Sequence, residues 1–318
     1  DEELEGDEEL EGDENPEEEI MPIDVEGEIA LTSESFPDAQ ILGMVGVYDA
    51  DGNGSLSEEE LAEITSFIYP DFGITDLTGL EKLTSLIYLD LSGNAITDFA
   101  DLASITTLTH LDLSDTGWEA NISINNLTNL IQLKLDNNAG GTLDLSNLSK
   151  LQTLSCKNSG ISSITVSGLS NLRELRLEGN ALIQLDLTGV SALETLSVQG
   201  NQLTSLDVTS CSDLKVVQVD NNALTDLKVS GLLSLEQLDC QNNQLTQIDI
   251  SGLSGLQQLN VSGNQLIGLN INGLASLETV LAGNNQLAGE WNAAEAEVVS
   301  LEGNQIGMFA VQLCQRSG

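Results

Sequence analysis

The chain has 318 residues, of which 51 are acidic and 9 basic, so its formal net charge is −42, and only 3% of the residues are aromatic. Recognition of phosphate needs clustered Lys and Arg, so this charge argues against nucleic acid as a partner, and it equally disfavours docking on anionic membranes. With so few Phe, Tyr and Trp residues, a core built on aromatic packing is not expected.

Residues 1–28 contain 16 acidic residues and no basic residue. Like charges at this density repel and there is little apolar surface to bury, so residues 1–30 are predicted to form a disordered acidic tail. No apolar run reaches the ~18 residues that a membrane-spanning helix needs, so membrane insertion is not expected. The sequence begins with Asp1 rather than Met. We therefore expect that a signal segment has been removed and that the protein is extracellular or at the cell surface.

Residues 31–73 are predicted to form a small helical cap that contains one EF-hand. One helix follows Pro37, a second runs from Glu58 to about Ile68, and residues 49–60 between them read DADGNGSLSEEE. In this loop Gly54 makes the sharp turn at position six and Leu56 is the apolar anchor at position eight. The predicted Ca²⁺ ligands are Asp49, Asp51, Asn53, the carbonyl of Ser55, Ser57 through a water, and a bidentate Glu60.

Calcium is a hard cation that takes six to eight oxygen ligands, and this loop offers such a set. No second EF-hand is visible, so the expected dissociation constant is on the order of 10⁻⁵ to 10⁻³ M, which suits calcium-rich extracellular fluid. The expected role is structural, namely to clamp the cap onto the first coils of the following domain. The alternative is a decayed EF-hand that is kept only as a helical cap.

From residue 74 to residue 306 the chain repeats the pattern L-x-x-L-x-L-x-x-N-x-L about eleven times. The first two steps are 22 residues, the later ones 21, and the last is 19. The second apolar position of the pattern falls at Leu89, Leu111, Leu133, Leu154, Leu175, Leu196, Val217, Leu238, Leu259, Val280 and Val299.

Each copy predicts one coil of a solenoid, because no single copy can bury its own apolar side. The alternating L-x-L segment predicts a short strand, and stacked copies form a parallel sheet. The following Asn turns the chain, and its amide is expected to bond the backbone of neighbouring coils in a buried ladder. A second alternating segment, as in LTSLDV, predicts a second strand. The cap is expected to close one end, and residues 307–318, after a degenerate copy with Trp291, Met308 and Phe309, the other. The ladder positions are Asn94, Asn138, Asn180, Asn201, Asn222, Asn243, Asn264, Asn285 and Asn304.

The repeat LxxLxVxxNxLTxLDVSGL resembles the leucine-rich repeats of bacterial cell-surface proteins, of the internalin-like and SDS22-like classes. The resemblance implies a right-handed, β-dominated solenoid with a parallel concave sheet, here preceded by the helical EF-hand cap. It also implies recognition of a protein or another ligand on the concave face. The chain departs from internalins where LDVS replaces the usual 3₁₀ turn, and it shows no Ig-like segment or wall-anchor motif.

Three of the four cysteines fall where sister repeats carry an apolar residue. Cys156, Cys211 and Cys240 are therefore predicted to be small buried hydrophobic residues, with disulfides or metal ligands as the alternative, and Cys314 has no assigned place.

The outward positions of the concave strands are mostly Ser, Thr and Gln, but three of the nine basic residues fall on consecutive coils. Lys134, Lys157 and Arg176 predict a basic stripe for an acidic peptide or glycan, and the alternative is local pairing with Asp136, Glu174 and Glu178. The single histidine, His110, lies beside Asp112 on the predicted face. Asp90 lies one coil earlier. A metal site or an acid–base pair there is one interpretation, and three ordinary solvent-facing positions are the other.

The sequence therefore favours a calcium-stabilised protein-interaction scaffold, with partner-binding residues Lys134, Lys157, Arg176, His110 and Asp112, and not an enzyme. The alternative is a structural protein that self-associates into a surface layer or filament. An enzyme that uses His110 is a third hypothesis. Self-association distinguishes the first two, because a recognition module is expected to stay monomeric.

Overall fold

The computed structural model describes residues 27–119, 124–288, 291–292, 296–305 and 311–312. The predicted acidic tail up to residue 26, the closing residues Met308 and Phe309, and Cys314 lie outside them. Two helices are present, α1 (Ala39–Val45) and α2 (Glu58–Glu63), with 3₁₀ turns at Gly46–Tyr48, Leu80–Lys82 and Ala100–Ser104. Within the described ranges, no helix combines the length and the apolar character that crossing a lipid bilayer requires.

The remaining elements are strands of two or three residues. They are β1 (Ile29–Ala30), β2 (Ser55–Leu56), β3 (Ser66–Ile68), β4 (Tyr88–Asp90), β5 (His110–Asp112), β6 (Gln132–Lys134), β7 (Thr142–Asp144), β8 (Thr153–Ser155), β9 (Ser163–Thr165), β10 (Glu174–Arg176), β11 (Thr195–Ser197), β12 (Ser205–Asp207), β13 (Val216–Gln218), β14 (Asp226–Lys228), β15 (Gln237–Asp239), β16 (Gln258–Asn260), β17 (Thr279–Leu281), β18 (Trp291–Asn292), β19 (Val298–Ser300) and β20 (Val311–Gln312).

Twelve of these strands form one parallel sheet, which the coils build one strand at a time. Its order is β3-β4-β5-β6-β8-β10-β11-β13-β15-β16-β17-β19. The central residues lie opposite one another, as Leu154, Leu175 and Leu196 do, and point into the core. All eleven predicted strand centres are confirmed. At a spacing of about 4.8 Å per strand the sheet is about 50 Å long.

The twelfth strand, β3, corrects the predicted second helix. That helix ends at Glu63 instead of about Ile68, and Ser66–Ile68 pairs with β4 so that Phe67 lies opposite Leu89. Phe67 is 2% exposed and Ile68 is 54% exposed, so the inward and outward positions alternate as in a strand. The sheet thus begins inside the segment 31–73. A helical cap of the predicted extent is not formed, since α1 and α2 have only seven and six residues.

The second alternating segment forms strands in only some coils. β7 pairs with β9 and β12 with β14, and their central residues are buried. The corresponding Leu185 and Leu269 are only partly buried, and the chain forms no strand there. The prediction of a second strand in every coil was therefore wrong for these coils. Strand pairing between neighbouring coils forms where the central side chain reaches the core.

The predicted asparagine ladder is confirmed at all nine positions. In a representative coil, Asn243 Nδ2 donates to the carbonyls of Val219 (3.1 Å) and Cys240 (3.0 Å), and its Oδ1 accepts from the backbone N–H of Leu224 (3.0 Å). One amide thus satisfies backbone groups of its own coil and of the preceding coil. In two coils a different residue occupies the asparagine position, and the sequence pattern did not predict its role. Thr116 Oγ1 donates to Leu113 O (2.7 Å) and Ser159 Oγ donates to Leu135 O (2.6 Å).

Cys156, Cys211 and Cys240 are buried and free, as predicted. Burial raises the pKa of the Cys156 and Cys240 thiols far above the usual range, and it also raises the pKa of Cys211. Thiols held in this protonated form are inert, so their part in the fold is packing.

We expect Asn243→Ala to lower the free energy of unfolding by about 1–3 kcal/mol, because buried carbonyl and N–H groups lose their partner. The adjacent Gln244 is exposed and no hydrogen bond of its side chain is found among the described residues, so Gln244→Ala is the matched control. Denaturation in urea measures both variants. Equal losses would contradict the role assigned to the ladder.

Candidate calcium loop and open sheet face

The predicted calcium loop has the backbone of a tight turn. Gly54, at position six, has a φ of +80°, a left-handed conformation that favours glycine. Leu56, at position eight, is fully buried, as an apolar anchor should be. The loop leads directly into α2, whose N-cap is Ser57.

Three predicted ligands converge in this loop. Carboxylate oxygens of Asp49, Asp51 and Glu60 all lie within 4.8 Å of one another. Asp49 accepts hydrogen bonds from the backbone N–H groups of Gly52 (2.8 Å) and Gly54 (2.9 Å), which fixes its orientation. Backbone N–H groups of Ser57 and Ala50 donate to Glu60 and lower its pKa. The lowered pKa keeps the Glu60 carboxylate ionised at neutral pH.

The other three predicted ligands surround this cluster. Asn53 Nδ2 lies 3.3 Å from Asp51 Oδ2, and Ser57 Oγ donates to Glu60 Oε2 at 2.9 Å. Ser55 is in β2. Side-chain oxygens and carbonyls are the ligand types that Ca²⁺ prefers, so the residues present fit this cation. Bound Ca²⁺ would supply charge neutralisation and a cross-link between the two ends of the loop.

The sequence pattern missed a strand that pairs with the loop. β1 runs antiparallel to β2, with Ile29 opposite Leu56, and the Leu31 N–H donates to Gly54 O (2.9 Å). Asn53 Nδ2 also lies 3.3 Å from Glu28 Oε2. The loop, for which no second EF-hand was found, thus has a strand partner within its own chain. A two-residue strand at the end of an acidic segment carries no periodicity, so no sequence signal could have revealed it.

Asp38 joins the loop region to the solenoid. Its Oδ1 caps α1 by accepting from Gln40 N (2.9 Å), while its Oδ2 accepts from Thr75 N (2.8 Å) and Asp76 N (3.3 Å). Burial raises the pKa of this carboxyl, but the four backbone N–H groups together outweigh it, so the pKa lies below the ordinary value. Nearby, Lys82 Nζ donates to Ser35 O (2.6 Å) and thus ties the two parts together a second time.

The predicted basic stripe is largely neutralised within the fold. Lys134 Nζ lies 3.1 Å from Asp112 Oδ2, and Arg176 forms an ion pair with Glu174 on its own strand. For Lys157 no ion pair is found among the described residues, but its charge lowers the pKa of Glu178, which burial raises overall. Arg176 thus pairs with Glu174 as the local-pairing alternative predicts, whereas Lys134 pairs with Asp112 and not with Asp136. A preference for acidic ligands gains no support from this geometry.

His110 and Asp112 are not arranged as an acid–base pair. The His110 ring stacks on Tyr88, with centroids 4.3 Å apart and planes inclined by 20°, and its Nδ1 lies 2.8 Å from Thr109 Oγ1. Burial lowers the pKa of His110. These rings border a hollow of about 220 Å³ on the open face of the sheet, near its β3 end.

Comparison with known proteins supports the repeat assignment. The leucine-rich-repeat families match residues 82–98, 234–256 and 255–277. No curated protein matches the chain in sequence. Among solved structures, the functional domain of InlJ from Listeria monocytogenes, described as including a cysteine ladder, aligns with a TM-score of 0.75 and 30% identity. That alignment covers 87% of this chain and 62% of the InlJ domain, so the chain spans less than two thirds of it.

Two further structures extend the comparison. The internalin InlF from Listeria monocytogenes gives a TM-score of 0.64 at 26% identity, over 88% of this chain and 93% of that one. The leucine-rich-repeat ectodomain of the receptor kinase GASSHO1/SCHENGEN3 from Arabidopsis thaliana, in complex with CASPARIAN STRIP INTEGRITY FACTOR 2, gives 0.62 at 23% identity, over 76% and 33%. The latter likeness concerns the fold alone. The chain is thus built of leucine-rich repeats, and its fold is similar to that of Listeria internalins.

We expect Asp38→Ala to destabilise the junction between α1 and the solenoid by about 1–3 kcal/mol. The backbone N–H groups that donate to the Asp38 carboxylate lose their acceptor. The carboxylate contribution is complete above the ordinary pKa of 3.8 and is lost as the pH falls through the lower folded-state pKa. Hydrogen exchange at the amides of Gln40 and Thr75 measures both effects.

Two variants serve as controls for this measurement. Asp38→Asn retains one carbonyl acceptor, so it should cost less than Asp38→Ala and should remove the pH dependence. Glu34 is exposed, and Glu34→Ala should change neither amide. If Glu34→Ala and Asp38→Ala accelerate exchange equally, Asp38 is not the connecting residue.

Proposed function

We propose that this chain is a non-enzymatic interaction scaffold, extracellular or at the cell surface, that recognises a protein partner on the open face of its long sheet and is stabilised by Ca²⁺ in the loop 49–60. The observation that carries the proposal is the alternation of buried and outward-facing side chains along each strand of the long sheet. The central side chain is buried in the core, whereas the side chains on either side lie on the other face. That face is therefore available for recognition.

The chemistry of the open face suits a polar protein surface. Gln132, Gln237 and Gln258 stand at the same strand position in β6, β15 and β16, and amide side chains both donate and accept hydrogen bonds. The structural similarity to internalins supports a binding role. The acidic surplus of the chain favours a partner with basic groups, because electrostatic attraction accelerates encounter.

The calcium proposal depends on the position of the loop. Its β2 strand is fixed to β1, and the adjacent helix α1 is joined to the first coil through Asp38. A cation that cross-links Asp49, Asp51 and Glu60 would therefore stabilise the end of the solenoid that contains β3, the first strand of the long sheet. Extracellular fluid supplies Ca²⁺ at the concentrations that a weak site requires.

With about 10 mM Ca²⁺ and a dissociation constant in the expected range, ligand linkage should stabilise the protein by about 1–4 kcal/mol and raise its unfolding temperature. Glu60→Gln should abolish this increase, because it removes a charged ligand yet keeps an oxygen that accepts from the Ser57 N–H. Glu63→Gln, on the exposed side of the same helix, should retain it. Thermal unfolding in calcium and in chelator measures all three proteins, and an increase that persists in Glu60→Gln would exclude the loop.

Recognition on the open face is tested by capture from the extracellular proteins of the organism that makes this chain. Replacement of Gln132, Gln237 and Gln258 by Arg should reduce capture at least tenfold, by steric and charge conflict over the face. Replacement of Gln202, Gln244 and Gln265 by Arg makes the same chemical change at exposed turn positions and should leave capture intact.

The structural alternative predicts a different result. If the immobilised protein retains only further copies of itself, and sedimentation shows oligomers that grow with concentration, the protein is a self-assembling component. If both triple variants lose capture equally, the open face is not the binding surface.

A further inference from the structure

The hollow at the β3 end of the sheet differs from the rest of the open face. Besides Leu89, Leu111 and Gln132, six residues line it, and their side chains combine an exposed aliphatic group, two stacked rings, two carboxylates and one amine. They are Ile68, Tyr88, Asp90, His110, Asp112 and Lys134. The hollow of about 220 Å³ is large enough for one long side chain of a partner and lies below the range of about 300–1,000 Å³ that is usual for small-molecule pockets.

Tyr88 offers one open ring face to a ligand. His110 covers the other side by stacking, and Ser66 of β3 is the residue opposite Tyr88 in the neighbouring strand. Ser66 is exposed, and its side chain is too short to cover a phenol ring. Tyr88 remains 44% exposed although it stands in a parallel sheet. A planar group can therefore stack on this ring from the β3 side.

The two carboxylates of the hollow, Asp90 and Asp112, differ in whether a cation neutralises their charge. Asp112 has Lys134 Nζ at 3.1 Å. Asp90, its neighbour in register on β4, accepts only from Ser92 N (3.0 Å) and Ser92 Oγ (2.7 Å), and no cation lies within ion-pair distance of it among the described residues. The hollow thus keeps one uncompensated negative charge beside an open aromatic face, in a chain of net charge −42.

We propose that this hollow binds an arginine side chain of a protein partner, with the guanidinium stacked on the open face of Tyr88 and donating to the Asp90 carboxylate. The methylene stem of the arginine would lie against Ile68. Arginine fits better than lysine because its planar guanidinium both stacks on a ring and presents a fork of N–H donors to a carboxylate. An acidic group would meet Asp90 and Asp112 at close range. The proposal rests on the proposed recognition role and identifies the partner chemistry for one part of that face.

The experiment uses the one histidine of the chain as a reporter, because His110 gives the sole imidazole signal in the spectrum of the full-length protein. The probe is the blocked tripeptide acetyl-Gly-Arg-Gly-amide, titrated at about pH 7.5, where His110 is neutral. Its comparator replaces arginine with citrulline, which has the same shape without the charge. We expect the arginine peptide to shift the His110 resonance with a dissociation constant on the order of 1 mM. Added salt should weaken binding, and citrulline should bind at least tenfold more weakly.

Matched variants locate the interaction. Asp90→Asn retains an acceptor for the Ser92 N–H and should weaken arginine binding at least tenfold, and Tyr88→Ala should abolish it. Asp239 stands at the same strand position in β15 and also accepts from the residue two positions on, Gln241 N at 3.1 Å. Asp239→Asn should therefore leave binding unchanged. The unfolding temperature of each variant confirms that it is folded.

Four results would overturn the proposal, and three of them involve an observed shift. They are an equal shift with the citrulline peptide, a saturable shift with the neutral disaccharide cellobiose in place of arginine, or equal weakening in Asp90→Asn and Asp239→Asn. An absence of any shift at tens of millimolar probe does the same. Each is distinguishable from failure of the scaffold function, because capture of a partner is tested at Gln237 and Gln258 on β15 and β16, which do not line the hollow, as well as at Gln132, which does.

Discussion

The hydrogen bonds of the ladder asparagines are the constraint on which the rest of the solenoid depends. Each coil must reverse direction after its strand, and the reversal leaves backbone carbonyls and N–H groups inside the protein. Asn180 answers this need by donating to Cys156 O (2.6 Å) and Leu177 O (2.9 Å) while accepting from Ile161 N (2.9 Å). Because donors and acceptors belong to neighbouring coils, the same amide also fixes their spacing, and the strands align without large side chains.

The asparagine ladder also explains why the side chains of the open face can vary. Because the ladder and the leucine core hold the coils, side chains such as Gln237 and Gln258 are not required for folding and can serve recognition. The same freedom lets opposite charges settle against each other locally, as Lys134 does with Asp112. The β3 end is the exception. Ser66 is the residue opposite Tyr88 on that side, and in the part of the chain that the structure describes no cation lies beside Asp90.

The elements that could be predicted from the sequence are those with a period. Leucine spacing revealed the strand centres, and recurrent asparagine revealed the ladder, because each recurs in every coil for one physical reason. β3 escaped notice because its coil has Phe72 in the ladder position, where its N–H still donates to Asn94 Oδ1 (2.9 Å). The β1–β2 pair and the double role of Asp38 depend on contacts between separate segments, which no local pattern encodes. The calcium ligands could be named because their order within twelve residues is itself a pattern, and their occupancy stays a prediction.

The ladder also determines which changes in length the protein can accept. In the 21-residue coils the asparagine accepts a hydrogen bond from a residue 19 positions earlier, as Leu245 N donates to Asn264 and Leu266 N to Asn285. Removal of one whole coil brings two equivalent edges together and restores every such bond. Loss of a single residue between a strand centre and its asparagine, as between Leu238 and Asn243, leaves the amide opposite the wrong carbonyl. Evolution can therefore lengthen or shorten this molecule by duplication or deletion of entire repeats, and the length of its open face changes in steps of one strand.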